Sequence, residues 1–323
     1  MLKLLEKARC AACLCVFAAS LSACAGNQPQ TTPWAPAPQA AAHRAAGSGG
    51  DLLYVGGRRE GTIYSYPDGS LIGTFSTPAA IHGMCSDTKG NVFVVAAKNG
   101  AKPSAAGYIY EFAHGGTSPV ATLDLPTSEI PVSCSSDPAN GNLAVTSYDR
   151  RNFAPMIEVY AGASGTPATF TSHAIGANPQ PAYDADGNLF VTSGGNQGVE
   201  LLNGSQQLTK IAFDQTLGGV DHVQWDGAHF ALQSFQNSQH NKERLLEHVY
   251  RLQISGKHAT IVGLSHFKNW LARDAGQSWI DGDTIVATPG NYVAFWKYPA
   301  GGQAYLVLHP SHVSKAVTIS SAP

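Results

Sequence analysis

One short element recurs along this chain: an apolar run, an Asp, a tight turn closing on Gly, and a second apolar run. It stands out in IHGMCSDTKGNVFVVAA, PVSCSSDPANGNLAVTS and PAYDADGNLFVTSG, and more weakly in VDHVQWDGAHFALQS and QSWIDGDTIVAT. The turn glycines are Gly90, Gly141, Gly187, Gly227 and Gly282, at steps of 51, 46, 40 and 55 residues. Self-similarity at roughly 40–50 residues is the mark of β-propeller blades, each of which buries its apolar faces only by stacking on its neighbours. Each copy continues with a third alternating strand and usually a fourth, as in GYIYEFA then PVATLDL, or MIEVYAG then ATFTS. That makes five four-stranded units. A sixth is split between the ends of the domain: Asp51 to Phe75 supplies LLYVGG, TIYSYP and LIGTF as strands two to four, and VSKAVTIS at Val313 to Ser320 supplies the first. The expected fold is all-β, a six-bladed β-propeller of four-stranded blades with the ring closed by the C-terminal strand, in preference to a seven-bladed ring or a pair of β-sandwiches. Closure leaves no free edge between first and last blades.

Composition agrees, since 34 Gly and 19 Pro with only 3 Met mean many forced turns and few formers of long helices. Asp87, Asp137, Asp186, Asp226 and Asp281 recur once per unit, which marks them as turn acceptors rather than catalytic groups. One stretch reads differently. In SHFKNWLARD, Ser265 to Asp274, the spacing of Phe267, Trp270 and Leu271 behind a capping Ser predicts a short helix.

The N-terminus is an address. Lys3, Lys7 and Arg9 precede an apolar stretch, Cys10 to Leu21, too short to span a bilayer, as in a secretory signal peptide. Leu21, Ser22, Ala23 and Cys24 follow, and they resemble the bacterial lipobox, which implies a lipid anchor on the Cys24 thiol after cleavage. Ala25 stands where an inner-membrane retention signal has Asp, so the expected location is the cell envelope, with the outer membrane favoured. The reading divides the chain into a signal peptide over 1–24, a disordered Pro- and Ala-rich tether over 25–50, and the propeller over 51–323. Cys85 and Cys134 are the ordinary thiols left in the mature domain, and spacing leaves open whether they pair or stay apart as buried apolar residues.

The copies of Asp-x-x-Gly-Asn followed by Leu or Val and an aromatic resemble the NHL and gluconolactonase-type six-bladed propellers, and IHGMCSDTKGNVFVVA is similar to the strand of the lactonases that bears Asp-Gly-Met-Cys before the same turn. The resemblance implies a site at one mouth of the central channel, lined by loops entering the first strands and loops between second and third strands. Here those positions hold His82, Glu129, Asn178, Asp221 and His222, together with Arg58, Arg59, Lys98, Lys102, Arg150, Arg151, Asn237, His240, Lys242 and Arg244. In the lactonases the position of His82 is an Asp that ligates metal. Imidazole suits first-row metals better than Ca2+, so the metal alternative is a mixed site of His82, His222 and Glu129, with Asp221 beside it. The basic loops, Arg58 with Arg59 and Arg150 with Arg151 above all, point to a locally positive face on a chain of net charge −2.

No GxSxG, HExxH, P-loop or GxGxxG signature is present, and the charge balance excludes nucleic acid as a partner. The leading expectation is a lipid-anchored, non-catalytic binding or scaffold module for a protein or carbohydrate partner, with no cofactor. The alternative is a metal-dependent, lactonase-like hydrolase or lyase.

Overall fold

The computed structural model of the chain describes residues 49–98, 106–125, 129–176, 178–192, 197–236, 246–271 and 275–323. The signal peptide, lipobox and nearly all of the tether lie outside these residues, as do Lys102, Asn237, His240, Lys242 and Arg244.

The described residues form small antiparallel sheets and one 3-10 turn. The first sheet contains β1 (Leu52–Gly56), β2 (Glu60–Ser65) and β3 (Leu71–Ser76). The second is built from β4 (Ala80–Ser86), β5 (Val92–Ala97), β6 (Gly107–Phe112) and β7 (Ala121–Asp124), and the third from β8 (Glu129–Ser136), β9 (Leu143–Asp149), β10 (Pro155–Tyr160) and β11 (Ala168–Phe170). Next come β12 (Gln180–Tyr183), β13 (Leu189–Thr192), β14 (Gln197–Leu201) and β15 (Leu208–Phe213), then β16 (Gly219–Trp225), β17 (Phe230–Gln236), β18 (Leu246–Ser255) and β19 (His258–Leu271). These eight are continuous in one sheet because β15 and β19 touch in parallel. The last sheet has β20 (Ala275–Asp281), β21 (Thr284–Pro289), β22 (Val293–Lys297) and β23 (Leu306–Leu308), and β24 (Ala316–Ser320) returns to pair with β1, Tyr54 opposite Thr318. The arrangement is all-β and propeller-like.

The sequence pattern follows from stacking. β5 (VFVVAA) and β21 (TIVATP) are buried at every position, because a sheet packed on both faces has no wet side and so loses the period-two alternation. Outer strands such as β7 and β11 are mostly exposed. The core is a series of layers between consecutive sheets: Phe93, Ile109, Leu143, Val145 and Tyr160 fill one, and Leu53, Val55, Val286, Phe295, Val317 and Ile319 fill another between the first and last sheets. Cys85 of β4 and Cys134 of β8 are bonded to each other across the first of these layers, with Cα atoms 5.7 Å apart.

Two sequence expectations are corrected. Residues 265–271 belong to β19 and not to a helix: Val249 pairs with Ser265 and His248 with His266, and the Ser265 hydroxyl donates to the Pro299 carbonyl (2.7 Å). Phe267 packs edge-on against Trp296. A long strand partner and an apolar ring to cover outweighed a spacing of three and four residues. In the fourth unit the turn acceptor is Asp184, not Asp186. Asp184 accepts the Asp186 and Asn188 backbone N–H groups and the Asn188 amide, matching what Asp87 does for Lys89 and Asn91. The turn also needs Gly90 at φ 81°, where a Cβ would collide with the Ser321 carbonyl.

Candidate functional site

The strands β4, β8, β12, β16, β20 and β24 are neighbours in space, each lying against the next through its sheet edge. Two glutamines cover part of this edge. Gln277 of β20 donates its amide to the Met84 carbonyl and accepts the Met84 N–H (3.0 Å), while Gln224 of β16 donates to the Ile280 carbonyl (2.8 Å) and accepts the Ile280 N–H (2.6 Å). The inner strands are thus clipped together by side-chain amides acting in place of a ladder.

At the end of the channel where the inner strands begin, β-bulges set the side chains. The pairing register slips between Ile81 and Gly83, between Pro131 and Ser133, and between Val220 and His222, so His82, Val132 and Asp221 are the extra residues. His82 sits on the first of these bulges, where loss of solvent around the ring and then the nearby charges of Lys315 and Arg150 lower its pKa. Asn178, at φ 59°, donates to the Val220 carbonyl (3.2 Å). Arg151 is paired with Asp149 (2.7 Å) and holds that carboxyl below the usual range. Arg58 and Arg59 are exposed on the turn between β1 and β2, beside a shallow cleft with Glu60, Ser76 and Thr77. Lys98 sits over the Tyr108 ring, 5.5 Å from its centroid.

Glu129 is elsewhere, inside the third sheet's packing. Its carboxyl is hydrogen-bonded to that of Glu158, and the Ser147 hydroxyl donates to Glu158 Oε2 (2.9 Å). Glu158 is fully buried and Glu129 is 6% exposed. Burial first, then the neighbouring carboxyl, pushes the Glu158 pKa up to about 9, and burial raises Glu129 as well, so at neutral pH the two carboxyls are bridged by a retained proton. The environments of His82, His222 and Glu129 are therefore distinct. Among the described residues no group of three or more His, Cys, Asp or Glu side chains is arranged to hold a metal ion.

A concavity lies where the inner strands finish. A cavity of about 240 Å3 is walled by Ser86, Ser135, Ser136, Tyr183, Trp225 and Trp279, reaches inward to His222, and has Asp87 and Asp281 among its lining residues. The strand ends create it: β4, β8, β12, β16, β20 and β24 each contribute residues at or next to their last position. His222 is 4% exposed, and neither ring nitrogen has a hydrogen-bond partner among the described residues. Burial alone lowers its pKa to about 3, so the imidazole is neutral, with one donor and one acceptor nitrogen. The Trp225 indole N–H is likewise buried without a partner, while its ring packs edge-on against Phe230. Buried polar atoms of this kind are uncommon, since each forfeits a hydrogen bond it had in water. Sequence reasoning singled out His222 but assigned it to the opposite mouth, and passed over Trp225, Trp279, Tyr183 and the serines. The one available signal was the recurrence of a polar or aromatic residue just before four of the turn Asp residues, as in CSD, SSD, AYD and VQWD.

No family model matches the sequence, and no curated protein matches it. Solved structures do match in three dimensions. A Bacteroides caccae protein of unknown function superposes with a TM-score of 0.56 at 10% identity, covering 84% of this chain and 99% of its own. A candidate 6-phosphogluconolactonase from Bacteroides uniformis superposes at 0.51 with 14% identity, covering 81% and 84%. The likeness is one of fold, the propeller-like arrangement of small β-sheets.

Proposed function

We propose that this chain is a lipid-anchored envelope protein whose propeller binds a small ligand in the cavity at the strand-end side of its channel, without turning it over. The observation that carries the binding role is the pair of buried, unpartnered polar groups, His222 and Trp225, on the walls of one cavity. A ligand that hydrogen-bonds to them restores what folding removed.

Six blades and a closed ring belong to the same reading. The eight-stranded sheet is held together at its middle by only Ala212 with His258 and Phe213 with Ala259, so it divides into two units of the common four-strand order. Each inner strand lies against the next, β24 against both β20 and β4. The anchor rests on Cys24 and the apolar stretch before it, and among the described residues no helix is long and apolar enough to cross a membrane.

The test is native mass spectrometry of the full chain released in detergent from the membranes that produce it. The wild type is expected to carry a small-molecule adduct that His222→Leu, with an unchanged circular dichroism spectrum, has lost. Identical spectra for the two proteins, with and without added envelope extract, would remove the binding role.

A further inference from the structure

We propose that the strand-end cavity takes an uncharged, hydroxyl-rich ring, a single saccharide unit, held through His222 and Trp225. This rests on the binding role proposed above and specifies its ligand.

Three properties of the wall select the chemistry. The first is hydrogen-bonding type. A neutral imidazole offers one donor and one acceptor, and the Trp225 N–H offers a donor, so the ligand must supply groups that both give and take hydrogen bonds. Hydroxyls do both. Ser135 adds to this: its oxygen accepts the Tyr183 N–H (3.1 Å), which leaves its own proton free to be donated.

The second is charge. No Lys or Arg lines the cavity, whereas Asp87 and Asp281 do, so a phosphate or carboxylate ligand would meet repulsion and find no counter-charge. A cation is no better served. Both Asp87 oxygens are already occupied by the Lys89 and Asn91 N–H groups and the Asn91 amide, and Asp281 is hydrogen-bonded to Tyr66.

The third is shape and polarity. Trp225, Trp279 and Tyr183 offer broad apolar surface around these few polar points, which suits a ring with C–H patches on its faces and hydroxyls on its rim. At about 240 Å3 the space is at the small end for ligand sites, enough for one ring and not for a chain buried along its length.

The experiment is isothermal titration of the detergent-solubilised full chain, with tryptophan emission followed in parallel. The probes are glucose, galactose and N-acetylglucosamine as neutral rings, glucose 6-phosphate and gluconate as anions, and choline as a cation. At least one neutral ring is expected to saturate the protein and shift its tryptophan emission. Trp225→Phe, which removes only the ring nitrogen's proton donor and some ring area, is expected to weaken that binding about fivefold to tenfold, the worth of one neutral hydrogen bond. His222→Phe is expected to do at least as much, and the affinity is expected to stay flat from pH 5 to pH 8. Saturable binding of an anion or of choline, sensitive to His222 and exceeding that of every neutral ring, would overturn the ligand class and leave the cavity as a binding site. Binding of no probe, or binding indifferent to both substitutions in proteins with unchanged melting curves, would overturn the cavity as well.

Discussion

Replacing Glu158 by Gln is expected to stabilise this protein at neutral pH, against the usual cost of a core substitution. The carboxyl is fully buried and carries its proton up to about pH 9, whereas in the unfolded chain it ionises near its ordinary value of 4.5. Between those values the folded state binds one proton that the unfolded state releases, so the stability contributed by this group falls as pH rises, by about 1.4 kcal/mol per unit. At pH 7 the interval above 4.5 amounts to about 3 kcal/mol, an upper figure because the neighbouring Glu129 shares in the titration. Glutamine keeps the size of the side chain. Its amide donates to Glu129 as the protonated carboxyl does, and its carbonyl still accepts from Ser147. The variant should therefore match the wild type near pH 4.5 and gain on it steadily to about pH 9, with a melting temperature about 5 °C higher at pH 7 for a domain of this size. Thermal melts of both proteins at pH 5, 7 and 9 measure this. A difference independent of pH, or a variant destabilised most at pH 9, would mean that Glu158 is ionised in the fold and compensated by another group, and the reasoning would fail.

Two further outcomes follow from the packing. Replacing both Cys85 and Cys134 by Ser opens a covalent loop of 49 residues and is expected to destabilise the domain by about 2–4 kcal/mol; equal melting temperatures for wild type and variant without reductant would show that the thiols are not joined. Ending the chain at Lys315 removes β24 and strips the cover from Leu53 and Val55, both fully buried. Cooperative melting is expected to be lost or to move down by more than 10 °C, about what removal of several buried aliphatic side chains implies, and an unchanged transition would show that the C-terminal strand is dispensable.

Local chemistry was legible in the sequence wherever local geometry decided the outcome. The Asp and Gly of the recurring turn are needed because the Asp carboxylate must take several backbone N–H groups and the Gly must sit at positive φ, and both requirements are met within five residues. The slip from Asp184 to Asp186 shows the limit, since DADG offers two carboxylates and only the register of β12 against β13 chooses between them. The helix expected from Ser265 onward gives way to strand over 265–271, because Ser265, His266 and Leu271 pair with β18, which spacing cannot show, while residues 272–274 lie outside the described residues. Glu158 was invisible for a related reason. In MIEVY it alternates like a solvent-facing residue, but both faces of β10 are covered by neighbouring sheets.

By itself the sequence determined the all-β class, the strand-turn-strand units with their period, and the partnership of the last strand with the first, because these depend on apolar runs and turn residues close together in the chain. Tertiary structure alone decided where the domain becomes concave. The cavity wall is assembled from the final residues of six strands spread along the chain from Ser86 to Ser321, and burial by the assembled strands is what leaves His222 neutral and unpartnered. No window of sequence contains that neighbourhood, so nothing short of the assembled sheets could turn an ordinary histidine of β16 into a buried, unpartnered wall residue of the proposed site.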